Sequence, residues 1–252
     1  FSLPSLAGDN LITIQTQGTG TTITASQAGS SNTTAIYCGL GSFDNSLVSN
    51  HSCDSATITV DVTGDSNVAY SQSVWSNHDD QTWITTVTGN SNYSVIDMDE
   101  SGSTSRITQD GDDHQAWILG SGVDNVYKIE QDGEGHYGKI ISFGDDGDIW
   151  ITQEGSGDHN AYVYNSGSGH NNSTRLIQKG SGNKDADVFW YADDGDLTLT
   201  QQGNGSHTSN MKFYTDDYDV TVVQKGTTNK SYTATFNCTS NCNKTITITQ
   251  QN

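Results

Sequence analysis

The sequence predicts an all-β chain folded as a β-solenoid, a cross-β stack of about ten two-strand rungs of 22–26 residues, and three observations lead there. First, one phrase recurs nine times: an alternating apolar strand, Gln, one residue, Gly, two or three residues, then Asn or His. Its plainest copies are Ile107-Thr108-Gln109-Asp110-Gly111, Ile129-Glu130-Gln131-Asp132-Gly133 and Ile151-Thr152-Gln153-Glu154-Gly155. Second, the glycines of the phrase, Gly29, Gly64, Gly89, Gly111, Gly133, Gly155, Gly180, Gly203 and Gly226, are separated by 35, 25, 22, 22, 22, 25, 23 and 23 residues. A repeat of this length buries its apolar face only against its neighbours, so copies must stack. Third, only 31% of the residues are hydrophobic, yet they keep period-two register, which a disordered chain of this composition would not. The single proline, Pro4, lies ahead of the first strand, as expected where every strand donates to a ladder.

Taken in order, residues 1–10 form an N-terminal segment and residues 11–252 a single solenoid domain. Phe1 to Asn10 lacks the charged start and apolar middle of a signal peptide, so the chain reads as already processed. Leu11 to Gln17 is an unmatched strand, Gly18-Thr19-Gly20 a turn, and nine full repeats follow from Thr22 to a lone first strand at Thr245 to Gln251. Each half rung leaves unpaired backbone groups and an open apolar edge. The expectation is that Ile246, Thr247, Ile248, Thr249 and Gln250 of one subunit meet Leu11, Ile12, Thr13, Ile14 and Gln15 of the next, completing a shared rung. Such a head-to-tail join does not close on itself and propagates.

Within a repeat, the residues two and four before each Gln are mostly apolar (Ile149 and Ile151, Leu197 and Leu199, Val220 and Val222, Ile246 and Ile248), with threonines between them. That register turns Gln27, Gln109, Gln131, Gln153, Gln178, Gln201, Gln224 and Gln250 inward. Buried amides need partners, so they are expected to bond the same residue on adjacent rungs, an amide ladder. The second strand opens with Asn32, Asn67, Asn92, His114, His136, His159 or His207. Around Gly180 and Gly226 the arc leaves one residue of ambiguity, and Asn183 and Asn229 fall within one position of that row. Two residues on comes a small side chain (Thr34, Ala69, Ser94, Ala116, Gly138, Ala161, Ser209), then an apolar one (Ile36, Ile96, Ile118, Ile140, Val163, Met211). A large row facing a small row fills a thin core without voids.

Composition excludes several classes. A formal net charge of −20 opposes binding to nucleic acid or an anionic membrane surface. No apolar run approaches the roughly 18 residues of a spanning helix. The cysteines form two local pairs, Cys38 with Cys53 and Cys238 with Cys242, and the first brackets the oversized interval between Gly29 and Gly64, as if stapling an insertion at 38–53. Metal binding by the four is the alternative; an oxidising, extracellular setting fits better.

The order of strand, Gln-x-Gly-x-x-Asn-x-Ala and strand, repeated every 22 or so residues over roughly residues 11 to 252, resembles the curlin repeat of bacterial curli amyloid subunits. The inward Gln, the arc Gly, the Asn or His and the small residue carry the resemblance together. Val62 and Val87 depart from it by replacing Gln, His replaces Asn in four repeats, a second Gln is not maintained, and the disulfide-bracketed insertion is foreign to it. The resemblance implies a secreted subunit that polymerises into biofilm-matrix fibres, working with a nucleator subunit and secretion machinery.

Other readings compete. Asp-rich turns recur at Asp145, Asp146 and Asp148, at Asp193, Asp194 and Asp196, and at Asp216, Asp217 and Asp219. Stacked carboxylates repel, so calcium could bridge them, whereas solvated turns that keep subunits soluble are the plainer account. No other cofactor is expected. The histidine row invites a metal, but its members replace Asn in a ladder whose need is hydrogen bonding. Outward threonines beside the Gln row, Thr24, Thr59, Thr86, Thr108, Thr152, Thr198 and Thr247, suggest the flat arrays of ice-binding solenoids, interrupted here by Arg106, Lys128, Glu130, Trp150 and Arg175. Asn-x-Ser/Thr triplets at Asn92, Asn171, Asn204 and Asn237 are expected by chance in such a chain. No nucleophile elbow, P-loop, His-Glu-x-x-His run or dinucleotide glycine pattern occurs, and polysaccharide cleavage by acids such as Asp145 and Asp193 would need a cleft that short turns do not build. The expectation is therefore a fibre subunit without enzymatic activity, with a monomeric solenoid adhesin or ice-binding protein as the alternative.

Overall fold

A computed structural model describes residues 9–16, 20–39, 53, 55–74, 80–99, 101–145, 147–167, 171–191, 194–215, 217–237 and 244–252. Among them there is no helix, and twenty strands form two sheets of ten. The first sheet contains β2 (Thr22–Ala28), β4 (Thr57–Thr63), β6 (Thr82–Thr88), β8 (Thr104–Gln109), β10 (Val126–Gly133), β12 (Asp148–Gly155), β14 (Asn172–Gly180), β16 (Gly195–Gly203), β18 (Tyr218–Lys225) and β20 (Lys244–Gln251). The second contains β1 (Ile12–Thr16), β3 (Thr34–Gly39), β5 (Ala69–Val74), β7 (Ser94–Asp99), β9 (Gln115–Ser121), β11 (His136–Ser142), β13 (His159–Asn165), β15 (Lys184–Trp190), β17 (His207–Phe213) and β19 (Lys230–Phe236). Each strand pairs in parallel with the strand two places on, so the chain winds through about nine turns of a β-solenoid.

Burial alternates along most strands: in β13 His159, Ala161, Val163 and Asn165 are buried and the residues between them are not, and in β12 Ile149, Ile151 and Gln153 are buried likewise. Alternation follows from the pleat, which sends successive side chains to opposite faces. Inward positions build a single core column: Ile107, Ile129, Ile151, Leu176, Leu199 and Val222 share one register and are fully buried. Opposite them run a small row, Ala69, Ser94, Ala116, Gly138, Ala161, Ala186 and Ser209, and a large row, Ile96, Ile118, Ile140, Val163, Val188 and Met211. All nine arc glycines have positive φ, from 49° at Gly89 to 153° at Gly226.

The disulfide Cys38–Cys53, with Cα atoms 5.7 Å apart, is buried and closes the insertion at its base. Residues 40–52 of that insertion, and Cys238, Cys242, Asp146, Asp193 and Asp216, lie outside the described residues.

One ambiguity is resolved and one expectation is refined. Lys184 and Lys230 occupy the Asn/His row, while Asn183 and Asn229 stand one residue earlier. The reason is arc length: from Gly155 onward the arc gains a residue, so the row falls four places after the glycine instead of three. The outward threonines fall in two columns. Thr24, Thr59, Thr198 and Thr247 share one with Arg106, Lys128, Trp150 and Arg175, whereas Thr86, Thr108 and Thr152 share another with Glu130.

The glycine requirement is testable at Gly203. Its φ is 116°, and a β-carbon there would run into the carbonyl oxygen of Gly180 on the rung before. Gly203→Ala is expected to lower the denaturant midpoint by an amount equivalent to about 1–3 kcal/mol, measured against the parent; an unchanged midpoint would contradict the close arc stacking.

Candidate functional site

Three features could carry function: the inward polar columns, the two ends of the stack, and the acidic turns. In the first column, Gln153 Nε2 donates to Gln131 Oε1 at 2.9 Å, Gln178 to Gln153 at 3.0 Å, Gln201 to Gln178 at 2.9 Å, Gln224 to Gln201 at 2.7 Å and Gln250 to Gln224 at 2.7 Å. The second amide hydrogens reach across the core to backbone carbonyls, Asn160 from Gln153 at 2.7 Å and Asp185 from Gln178 at 2.8 Å, tying the two sheets together. The bonded run starts at Gln131. Gln109 shares the register and is buried, but neither of its amide heteroatoms makes a hydrogen bond. Gln27 stands apart, with Val62 and Val87 on the next two rungs; it donates to Thr33 O and accepts from Thr34 Oγ1.

The second column begins with amides: Asn32 with Asn67 at 2.8 Å and Asn67 with Asn92 at 2.7 Å. Asn10, buried and two positions ahead of Ile12, where β1's pairing with β3 begins, extends it by a rung. Below Asn92 the column changes character, and the expected hydrogen bonding between histidines is replaced by ring stacking. The centroids of His114 and His136 are 5.2 Å apart and those of His136 and His159 are 4.5 Å apart, and neither ring nitrogen of His136 or His159 makes a hydrogen bond. An imidazole is too short and flat to bond its twin one rung away, so His136 and His159 stack, their planes 24° apart, while His114 lies tilted by 37° against His136. Lys184, fully buried, then donates to the carbonyls of Gly180, Gly182 and Asn204 at 2.9 Å each. His207 follows, and Lys230 ends the column bound to Gly226 O and Thr228 O.

Burial pushes the imidazoles of His114, His159 and His207 below their usual value; His136, buried and flanked by His159 and His114, goes down to about 3. Burial likewise pushes the Lys184 ammonium down.

At one end of the stack the edges are β1 and β2, at the other β19 and β20. Ile246 and Ile248 are 38% and 45% exposed, although Val220 and Val222, their partners in register, are 1% and 0%. Leu11 is 69% exposed, Ile12 and Ile14 are half-buried against the core, and Thr13 and Gln15 face outward, as do Thr247 and Thr249. β1 lies a rung before β2, and β20 a rung beyond β19, so the ends are complementary steps.

Of the aspartates, Asp194, Asp196, Asp217 and Asp219 line one open groove of about 310 Å³ between turns, Asp148 shares an outward column with Ser173, Asp196 and Asp219, and Asp145 bridges Val123 through the backbone. Among the described residues no three His, Cys, Asp or Glu side chains converge as metal ligands. No helix among them is long and apolar enough to cross a membrane.

Compared with protein-family models, curated proteins and solved structures, the chain matches none.

Two predictions follow from the columns. Gln153→Leu strips Gln131 Oε1 and Asn160 O of their donor and should destabilise by about 1–3 kcal/mol for each orphaned group, while the outward Thr152→Ser should stay within about 0.5 kcal/mol of the parent; chemical denaturation reads both. For the histidines, the unfolded chain takes up protons near pH 6.5 and the folded chain does so only at lower pH. Their stabilisation is therefore complete above pH 6.5 and is lost as the pH falls, by up to about 2 kcal/mol for His136 at pH 5. His136→Asn should flatten the decline between pH 7 and 5 in the same denaturation measurement.

Proposed function

We propose that the chain is the structural subunit of a self-assembling extracellular fibre, growing head-to-tail as curli-type subunits do. The observation that carries this reading is the pair of complementary steps. Continuing the register one rung past β20 sets Gln250 on Gln27 of the next copy, Ile248 on its Ala25 and Ile246 on its Ile23. Continuing past β19 sets Tyr232, Ala234 and Phe236 on its Ile12, Ile14 and Thr16. Large residues then meet small ones, and the exposed isoleucines are covered. Gln27 has the apolar Val62 on its inner side, so an amide partner for it can come only from the outer side, where Gln250 would stand.

Other features support the same reading. Edge strands this regular pair readily with another chain, and only charge opposes it: a net −20 keeps separate subunits apart until backbone pairing outweighs repulsion. A buried disulfide suits the oxidising space outside a cell. The alternative, a solenoid acting as a discrete adhesin or ice binder, is disfavoured by the charged and aromatic residues across the threonine columns.

The test is electron microscopy with sedimentation of the full chain and two variants. The parent should form fibres, whereas Ile246→Lys with Ile248→Lys, or deletion of residues 11–17, should leave no fibres and only folded species of one or two subunits or short stacks. Discrete rods from the parent would favour the adhesin, and normal fibres from both variants would place the join elsewhere.

A further inference from the structure

The outer face of the second sheet differs from the rest of the surface. Acidic residues crowd the turns, but the outward side chains of β11, β13 and β15 are aromatic or aliphatic except for Lys139, Asn160, Asp185 and Asp187. Rings on this face touch from strand to strand, Tyr162 with Phe189 at 5.7 Å and Tyr164 with Tyr191 at 5.5 Å. Tyr191 and Tyr214 stack at 4.5 Å and remain 39% exposed, and Phe143 is 57% exposed. Lys139 lies over Trp117 and Tyr162, at 5.2 and 5.5 Å, with no carboxylate in ion-pair range among the described residues.

We propose that this face is a lateral interface with the same face of a second copy, related by a two-fold axis that lies between the sheets, runs parallel to the strands and is level with β13. Three columns carry the assignment. Lys139, Tyr162 and Asp187 stand in register on β11, β13 and β15. The axis reverses the rung order of the partner, so Lys139 faces the partner's Asp187 and Asp187 faces the partner's Lys139. The column Ile141, Tyr164 and Phe189 sets Ile141 against the partner's Phe189, and the column Tyr137, Asn160 and Asp185 sets the Tyr137 phenol against the partner's Asp185. All three columns are self-complementary under the same axis, which is what an isologous contact requires.

Size and charge agree with a second copy as occupant. With the axis level with β13, the seven strands from β7 to β19 overlap, and at about 4.8 Å spacing and roughly seven residues of about 3.3 Å they give a face on the order of 800 Å², which matches about 800 Å² per partner in a standard interface. Two bodies each carrying −20 can approach closely only through a face where charge nearly cancels, and the three charged groups at this centre sum to −1 with opposite signs two rungs apart. A sugar polymer fits less well, because Tyr191 and Tyr214 stack on one another and the other ring pairs are tilted, so the rings do not form one flat platform.

The inference does not depend on end-to-end growth, and the experiment keeps the two apart. Sedimentation equilibrium is run on the full chain with its ends blocked by Ile246→Lys and Ile248→Lys. A dimer is expected. Lys139→Asp or Asp187→Lys alone should weaken it at least tenfold, and the two together should restore it, since the swapped charges face each other again. A monomeric end-blocked chain, single variants with unchanged dimerisation, or a double variant that stays weak would each overturn the assignment. As a second reading, parent fibres should be two stacks wide and Lys139→Asp fibres one stack wide; loss of all fibres in the parent would count against the function proposed above and leave the dimer measurement to stand.

Discussion

Every inward residue in this molecule sits directly above and below its counterpart, about 4.8 Å away, and must therefore be compatible with itself. That constraint comes from parallel, in-register pairing along both sheets. Aliphatic side chains satisfy it by stacking, glycine by allowing one arc to lie against the next, and a primary amide by being donor and acceptor at once. An ammonium does not satisfy it, since two lysines at rung spacing would repel inside the core. The second polar column respects this: Lys184 and Lys230 alternate with His159 and His207, so like charges are two rungs apart and neutral imidazoles separate them.

The same constraint connects stability to assembly. A stack held by like-on-like contacts has no natural last rung, because the final strand presents the surface that the next copy of the repeat is shaped to cover. Ile246 and Ile248 are exposed on the last strand of their sheet, yet their chemistry and register are those of the core. The outward and turn positions answer to a different rule. They face water, so they can hold the acidic residues that keep separate bodies apart, and where they do not, as on the outer face of β11 to β15, the surface becomes adhesive.

Much of this was legible in the sequence, and the failures are local. The Gln-x-Gly spacing identifies the inward amides and the positive-φ glycines, because both depend on chemistry that few other residues supply. The row after the arc stays ambiguous around Asn183 and Asn229 because the arc lengthens by one residue. A second glycine two places on does not mark the longer arc, since Gly135 follows Gly133 in a short arc and Thr228 follows Gly226 in a long one. The histidines read as amide substitutes because they share a row with Asn, but ring shape makes them stack. The silence of Gln109 in an otherwise bonded column is not marked by Ile107, Asp110 and Gly111 around it, which recur around Gln131 as Ile129, Asp132 and Gly133. The lateral columns escape a one-dimensional reading, since Lys139 and Asp187 become neighbours of one strip only once the rungs are stacked.

Fibre diffraction tests the central claim, a parallel in-register stack running along the axis of growth, most directly. Aligned fibres of the full chain should give a meridional reflection near 4.8 Å with axial order at roughly 48 Å, ten rungs per subunit. A 4.8 Å reflection on the equator, which would mean strands running along the fibre, or an axial repeat unrelated to ten rungs, would contradict it.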